Sequence, residues 1–596
     1  MIRYAIDVSD TAAHTFSVEL TLPRPAAHQL LSLPVWIPGS YLVREFARHL
    51  SGMVGEQGGR AVQLRQLDKA TWSAGCEGDA ELVVRYRVYA FDLSVRAAFL
   101  DTARGFFNGT GVCLRVEGRE RDAHALSLTA LPAGWDVATT LRPDAASGAR
   151  HTYVAADYDE LVDHPFELGT FWRGRFEAAG VPHEFVVAGA LPDFDGDRLV
   201  ADAKRICEQE IAFWHGPGGR APFDRYLFLL NATDDGRGGL EHRSSTALVA
   251  SRRDLPARAS PPPAGEATTA TKATGVDPGD GYVGVLGLIA HEYFHAWNVK
   301  RMKPRDFAPL DYTRENYTEL LWFFEGFTSY YDDLLVVRSR LIDAARYLKL
   351  IGKTMSAVAA MPGRDVQSVA ASSFDAWVKY YRADENTPNA TVSYYLKGSL
   401  VALALDLTLR SEGRGSLDDV MRCLWAQGGG GPIDEADIAA ALEKVGGRSF
   451  APELAAWVHG TGELPLEALL ARVAVEIERQ PATLAQRLGI RINESALTGV
   501  KVTHVLRSGA GERAGLSAGD ELIAAGEWRL RRFDDALRSW AAGDALPLLV
   551  CRDQRVLRLS LPADALAASS GGALQLRRAE RADADARARC EAWIAG

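Results

Sequence analysis

The sequence predicts a multidomain α+β protein: a β-rich N-terminal domain, a mainly helical middle domain and a small C-terminal module of short strands. Three observations predict it. The chain has 596 residues, too many for one hydrophobic core. Its hydrophobic period is two through the first third and turns helical near residue 197. Finally, 47% hydrophobic and 24% charged residues are proportions of a globular chain, with enough apolar surface for several cores.

The β-rich domain is expected over 1–195. Phe16, Val18, Leu20 and Leu22 alternate with Ser17, Glu19 and Thr21, and Leu82, Val84, Tyr86 and Val88 repeat the period, as half-buried strands do. The middle domain is expected over 196–470, with helical periodicity from Leu199 to Trp214 and helices dominating from Val283 to about Trp457. Inside it, 256–281 carries SPPPAGEATTATKATG, which has almost nothing to bury. That segment is expected to be a mobile surface loop, either a solvated insertion or a flap over an active site. Short strands and glycine turns follow over 471–565, and 566–596, ending RRAERADADARARCEAWIAG, reads as an exposed, charged helical tail.

The formal net charge of −10 argues against nucleic acid or an anionic membrane as partner. Six scattered cysteines form no CxxC pair, which fits neither a disulfide framework nor a cysteine metal site. MIRYAIDVSD leads straight into strand-like sequence without a secretory signal. Apolar segments such as Val283 to Ala290 and Leu400 to Leu407 fall short of the roughly 18 residues needed to cross a bilayer. A cytoplasmic protein that does not enter the membrane is expected.

Chemistry concentrates at His291-Glu292-Tyr293-Phe294-His295. The preceding VGVLGLIA has helical character, and positions i and i+4 share a helix face, so both imidazoles can reach one ion while Glu292 reaches a water beside it. Three protein ligands around zinc leave a fourth position for water and polarise a carbonyl. The third ligand is expected from Glu325, in the apolar helical stretch Trp322-Phe323-Phe324-Glu325-Gly326-Phe327, because a bare carboxylate is seldom buried without a partner. Pairing of Glu325 with Lys300 or Arg301 is the alternative.

HEYFHAWNVKRMKP followed by ENYTELLWFFEGFTSYYDD resembles the glycyl aminopeptidase family of gluzincin metallopeptidases, relatives of the aminopeptidase N and thermolysin groups. LPVWIPGSYLVREFARH resembles that family's β-domain, so the likeness runs to about residue 465. It implies a thermolysin-like catalytic domain with one zinc ion per chain on His291, His295 and Glu325, and Glu292 as general base. The long gap after His295 leaves Glu315 and Glu319 as rival ligands. Gly238-Gly239-Leu240-Glu241-His242 resembles the glycine-led, glutamate-bearing motif that lines the substrate cleft, which makes Glu241 the candidate anchor for a free amine. Without the family, Gly238 and Gly239 read as a turn and Glu241 as a surface carboxylate. Tyr394-Tyr395-Leu396-Lys397-Gly398 resembles the family's tyrosine three residues before a glycine. Tyr395 is the candidate oxyanion donor, with Tyr394 as rival. Asp332 and Glu319 are candidates to orient the imidazoles, whereas Asn298, Lys300 and Arg301 receive no role from chemistry alone.

At the C-terminal end, Arg487-Leu488-Gly489-Ile490, then VKVTHV and GERAGLSAGDELI, resemble a PDZ domain of the bacterial protease type. This implies that a peptide C-terminus or extended segment binds beside Arg487 to Ile490, or that the module only packs. The expected activity is zinc-dependent removal of the N-terminal residue, glycine or another small one, from peptides. The rivals are a PDZ-assisted endopeptidase and a non-catalytic peptide-binding scaffold.

Overall fold

The computed structural model describes residues 1–258, 279–495, 497–538, 540–541, 543–567 and 572–596, and they form two compact units. One comprises Met1–Tyr317 with Ser339–Ile342 and Trp425–Ile433; the other comprises Thr318–Arg338, Asp343–Leu424 and Asp434–Gly596. Most of the 256–281 segment lies outside the described residues. Ala257 bridges to Phe194, and Gly279 caps the helix Asp280–Phe294.

In the first unit the N-terminal region is β-rich, as its period of two requires. Thr15–Leu22 lies between Ile2–Asp10 and Leu82–Tyr89 in an eight-stranded sheet. Val18 sits opposite Ile6 on one side and Tyr86 on the other, so the apolar residues of three strands share one buried face. A second sheet of five strands runs in the order Trp172–Ala178, Val181–Ala188, Tyr226–Thr233, Ser245–Ser251, Gly238–Glu241. Val181–Ala188 and Tyr226–Thr233 are parallel, and parallel neighbours need a crossover, here the helix Gly196–His215. That sheet therefore continues across residue 195, where a domain boundary was expected. Its outer strand Gly238–Glu241 corrects the turn reading of Gly238 and Gly239: both are extended residues at a sheet edge.

The second unit is mainly helical through its middle. Leu321–Arg338 and Tyr394–Ser411 are apolar almost all round and pack together, as buried helices do. Further along, Ile490–Ser495, Gly499–Val505, Glu521–Ala525, Leu546–Arg552 and Arg555–Leu561 form a small sheet around a core of its own that includes Leu488, Val502, Leu522 and Val550.

The C-terminal tail needs correction. Leu574–Arg578 pairs with Val475–Arg479, and in the helix Ala584–Ala595 the residues Ala586, Cys590, Trp593 and Ile594 are buried. The Trp593 indole N–H donates to Tyr330 Oη at 2.9 Å, and its carbonyl accepts from Arg338. The charges that suggested solvent occupy the other face. Among the described residues, no helix is long and apolar enough to cross a membrane.

Candidate metal centre

The helix Asp280–Phe294 presents the first two ligand candidates near its C-terminal end, with His295 as the cap residue. His295 Nδ1 lies 2.8 Å from the carbonyl of Asn298. A carbonyl only accepts, so Nδ1 carries the proton and Nε2 is left with its lone pair. His291 Nε2 is 3.0 Å from His295 Nε2; two nitrogens on one tetrahedral zinc, each at 2.0–2.1 Å, would stand about 3.3 Å apart. His291, His295 and Glu325 each offer a ligand atom, and these atoms all lie within 4.8 Å of one another. Glu325 is 2% exposed, within the reach and chemistry a metal requires of a buried carboxylate. Glu319 is exposed, and neither it nor Glu315 joins this group.

Glu292 is 5% exposed and rests against Gly239. A Cβ built on Gly239 would stand 2.1 Å from Glu292 Oε1, so any side chain there would displace the carboxylate. The close approach requires glycine, independently of any turn. Two residues further along the same strand face, Glu241 is 4% exposed, and its Oε1 has no hydrogen-bond partner among the described residues. The carboxylate lies over Gly39, whose Cβ would fall 2.5 Å from both of its oxygens and whose φ is +91°. Trp36, Gly39, Tyr41, Lys303, Phe307 and Glu241 line one cleft.

The residues after the histidine motif acquire parts that chemistry alone did not assign. The Asn298 carbonyl orients His295. Lys300 Nζ is 2.7 Å from Asp163 Oδ1, and Asp163 also accepts from the Arg243 amide and lies 3.4 Å from His242 Nδ1. Burial alone would raise the Asp163 carboxyl, but Lys300, His242 and Arg243 hold it well below the usual carboxylate range. Arg301 donates to the carbonyls of Ala296, Arg243 and Pro222; burial lowers it to about 10. These bonds tie the segment behind the metal motif to the turn that follows Glu241.

In the other unit, Leu321–Arg338 and Tyr394–Ser411 touch through glycines. A Cβ on Gly326 would meet Gly398 Cα at 2.6 Å, and one on Gly398 would meet the Trp322 carbonyl at 2.6 Å. Tyr395 is half-buried, and its hydroxyl is 3.2 Å from that of Tyr381. Tyr394 is fully buried and stacks on Tyr395.

Gly39, Arg96 and Asp163 escaped the sequence reading. Gly39 stands in the PGS of the β-domain motif, but nothing local marks Asp163, which lies 79 positions from His242, or Arg96, whose Nη2 donates to the Gly239 carbonyl at 3.1 Å.

Fold and site together define a metallopeptidase of the aminopeptidase class. Residues 3–170 match the peptidase M61 N-terminal domain and residues 284–401 the M61 glycyl aminopeptidase family. The crystal structure of an aminopeptidase N family protein from Idiomarina loihiensis is 35% identical, with 100% of each chain covered and a TM-score of 0.90. The chain belongs to the M61 glycyl aminopeptidase family. More distant are an M1 zinc metallopeptidase from Deinococcus radiodurans (13% identity, 78% of this chain and 94% of that one, TM-score 0.46) and Legionella pneumophila aminopeptidase A in complex with aspartic acid (12%, 94% and 56%, 0.45). Neither likeness bears on the chemistry. No curated protein matches the chain.

Proposed function

We propose that the protein is a zinc aminopeptidase that removes the N-terminal residue, glycine or another small one, from peptides in the cytoplasm. The observation that carries the reading is the Glu241 carboxylate, 4% exposed and with an oxygen lacking any partner among the described residues, on the strand whose Gly239 touches Glu292. An unpaired buried carboxylate is costly unless a cation completes it, and a peptide's free ammonium is such a cation. Holding it there fixes how far the first carbonyl lies from Glu292, so Glu241 sets register as well as affinity.

His291, His295 and Glu325 would hold the zinc, which when bound supplies a Lewis acid and lowers the pKa of water. Glu292 takes the proton of the attacking water and passes it to the leaving amine. Gly239 keeps Glu292 in place, the Asn298 carbonyl keeps His295 in the right tautomer, and the Tyr395 hydroxyl donates to the carbonyl oxygen as negative charge builds there. The preference for a small first residue rests on the family.

The 471–565 segment is taken as a PDZ-like module, and packing is its better supported role. Asn389 donates to the Val505 carbonyl at 2.9 Å and accepts from the Arg507 amide at 2.8 Å, while Arg491 donates to the Ala360 carbonyl. A peptide C-terminus or extended segment beside Arg487 to Ile490 is the second reading.

The test compares kcat/KM on a matched free and N-acetylated peptide, in the wild type and in Glu241→Ala. The wild type should strongly prefer the free amine. Glu241→Ala should lose most activity and much of that preference while retaining zinc. Equal cleavage of the acetylated peptide by the wild type would establish the endopeptidase in its place.

A further inference from the structure

Glu241 holds one end of the substrate in the reading above, and the strand that carries it shows what meets the other end. Gly238–Glu241 is the outer strand of its sheet. The His242 amide donates to the Ser245 carbonyl at 2.9 Å, so these residues form a hydrogen-bonded pair. In an antiparallel ladder such pairs alternate with pairs that are not bonded. With Glu241 opposite Thr246 and Gly239 opposite Leu248, the bonded pairs are Leu240 with Ala247 and Gly238 with Val249. Gly239 and Glu241 therefore turn their amides and carbonyls to the open edge, where an extended peptide can lie alongside.

One of those outward groups is already taken, by a cation. Arg96 Nη2 donates to the Gly239 carbonyl, which independently confirms that this carbonyl faces the open edge. The Arg96 Nε is buried and has no hydrogen-bond partner among the described residues. No carboxylate among them pairs with Arg96, unlike its neighbour Arg104, which is fully engaged by Glu167. A guanidinium beside an open strand edge, with no carboxylate partner among the described residues, is suited to a carboxylate.

The spacing selects the substrate. Gly239 and Glu241 are two positions apart, about 7 Å along an extended strand. The ammonium and carboxylate of an extended dipeptide are separated by about 6 to 7 Å. Measured along the strand, an amine held by Glu241 brings the terminal carboxylate of a two-residue peptide level with Gly239, whose carbonyl accepts from Arg96. A tripeptide overshoots by a single residue, and longer chains carry their carboxylate away.

We propose that Arg96 binds the terminal carboxylate of the substrate, and that this enzyme is tuned to dipeptides with a free C-terminus. The inference rests on Glu241 anchoring the amine. It is tested by measuring kcat and KM on one dipeptide sequence as free acid, as C-terminal amide and as N-acetyl derivative, and on the series extended by one and three residues, in the wild type, Arg96→Gln and Arg96→Lys. In the wild type, amidation should raise KM by about tenfold or more, the worth of one charge-assisted hydrogen bond, with kcat little changed, and extension should lower kcat/KM. Arg96→Gln should treat acid and amide alike, and Arg96→Lys should recover part of the difference.

Equal efficiency of the wild type on acid and amide would overturn the proposal, whatever the variants do. So would Arg96→Gln lowering both substrates equally, which would mean that Arg96 merely holds the Gly239 carbonyl. The acetylated arm reads separately: rapid cleavage there refutes the aminopeptidase assignment and leaves the acid-to-amide ratio as its own measurement.

Discussion

Gly239 and Gly326 each stand beside a carboxylate assigned to the site, but they are glycines for different reasons. A Cβ on Gly239 would collide with the end of the Glu292 side chain, at 2.1 Å from Oε1. A Cβ on Gly326 would collide with backbone, at 2.6 Å from Gly398 Cα. In the first case glycine leaves room for the carboxylate proposed as the general base. In the second it lets two helices approach closely enough to pack. A side-chain end can move aside while the fold survives, whereas a backbone can yield only by separating the helices. The first glycine should therefore answer in activity and the second in stability.

Gly239→Ala gives the largest expected effect. The methyl group displaces Glu292 by about 1 Å or more, a misplacement worth about a hundredfold in rate. kcat should fall by that order while the thermal midpoint and zinc content stay near wild type. A variant that unfolds early, with activity normal below its midpoint, would show that Gly239 belongs with Gly326. Gly326→Ala sharpens the other side. Overpacking of this kind costs about 3 kcal/mol, so the midpoint of unfolding should drop clearly, and the pair Gly326→Ala with Gly398→Ala should cost less than the sum because both remove one contact. Full stability of Gly326→Ala would mean that the helices have room to spare.

These two glycines also mark how far the sequence could be read. Its histidine motif and Glu325 were legible because helical spacing and an isolated carboxylate in an apolar run are local signals. Gly239 was visible only as a member of a motif. What makes it necessary is Glu292, 53 positions away in the chain, and no local pattern carries that distance. Arg96 is further still from its partner, at 143 positions. The C-terminal helix failed for another reason. ARARCEAWIA has the composition of a solvated face, but Ala586, Cys590, Trp593 and Ile594 fall at i, i+4, i+7 and i+8, the spacing of a buried stripe. That signal was present, and charge density outweighed it. The sheet crossing residue 195 shows the same bias, since a change of periodicity locates a change of secondary structure and says nothing of which strands pair.

Asp163 sharpens the comparison from its weak end, because it supports the turn after Glu241 by charge where the glycines act by shape. Its carboxyl is held below the usual range by Lys300, His242 and Arg243 against the opposing effect of burial. A group whose folded pKa is depressed adds stability that is fully present above its unfolded value, near 3.9, and is lost as the pH falls through the folded value. Asp163→Asn keeps an acceptor for the Arg243 amide but leaves Lys300 without its counter-ion, at a cost of about 2 kcal/mol for a charged hydrogen bond. The loss should therefore be fully present at pH 7 and above, where the wild-type carboxylate is ionised in both states. It should shrink below pH 4 as protonation removes the wild type's advantage. Comparing the unfolding of metal-stripped wild type and variant across pH makes protonation of the histidines proposed as ligands common to both proteins. Because Asn fits the same space, turnover at pH 7 should change only a few-fold. A hundredfold loss would place Asp163 with Gly239 among the residues that position the chemistry, and a stability gap that persists undiminished at pH 3 would mean that packing, and not the Lys300 pair, is what Asp163 contributes.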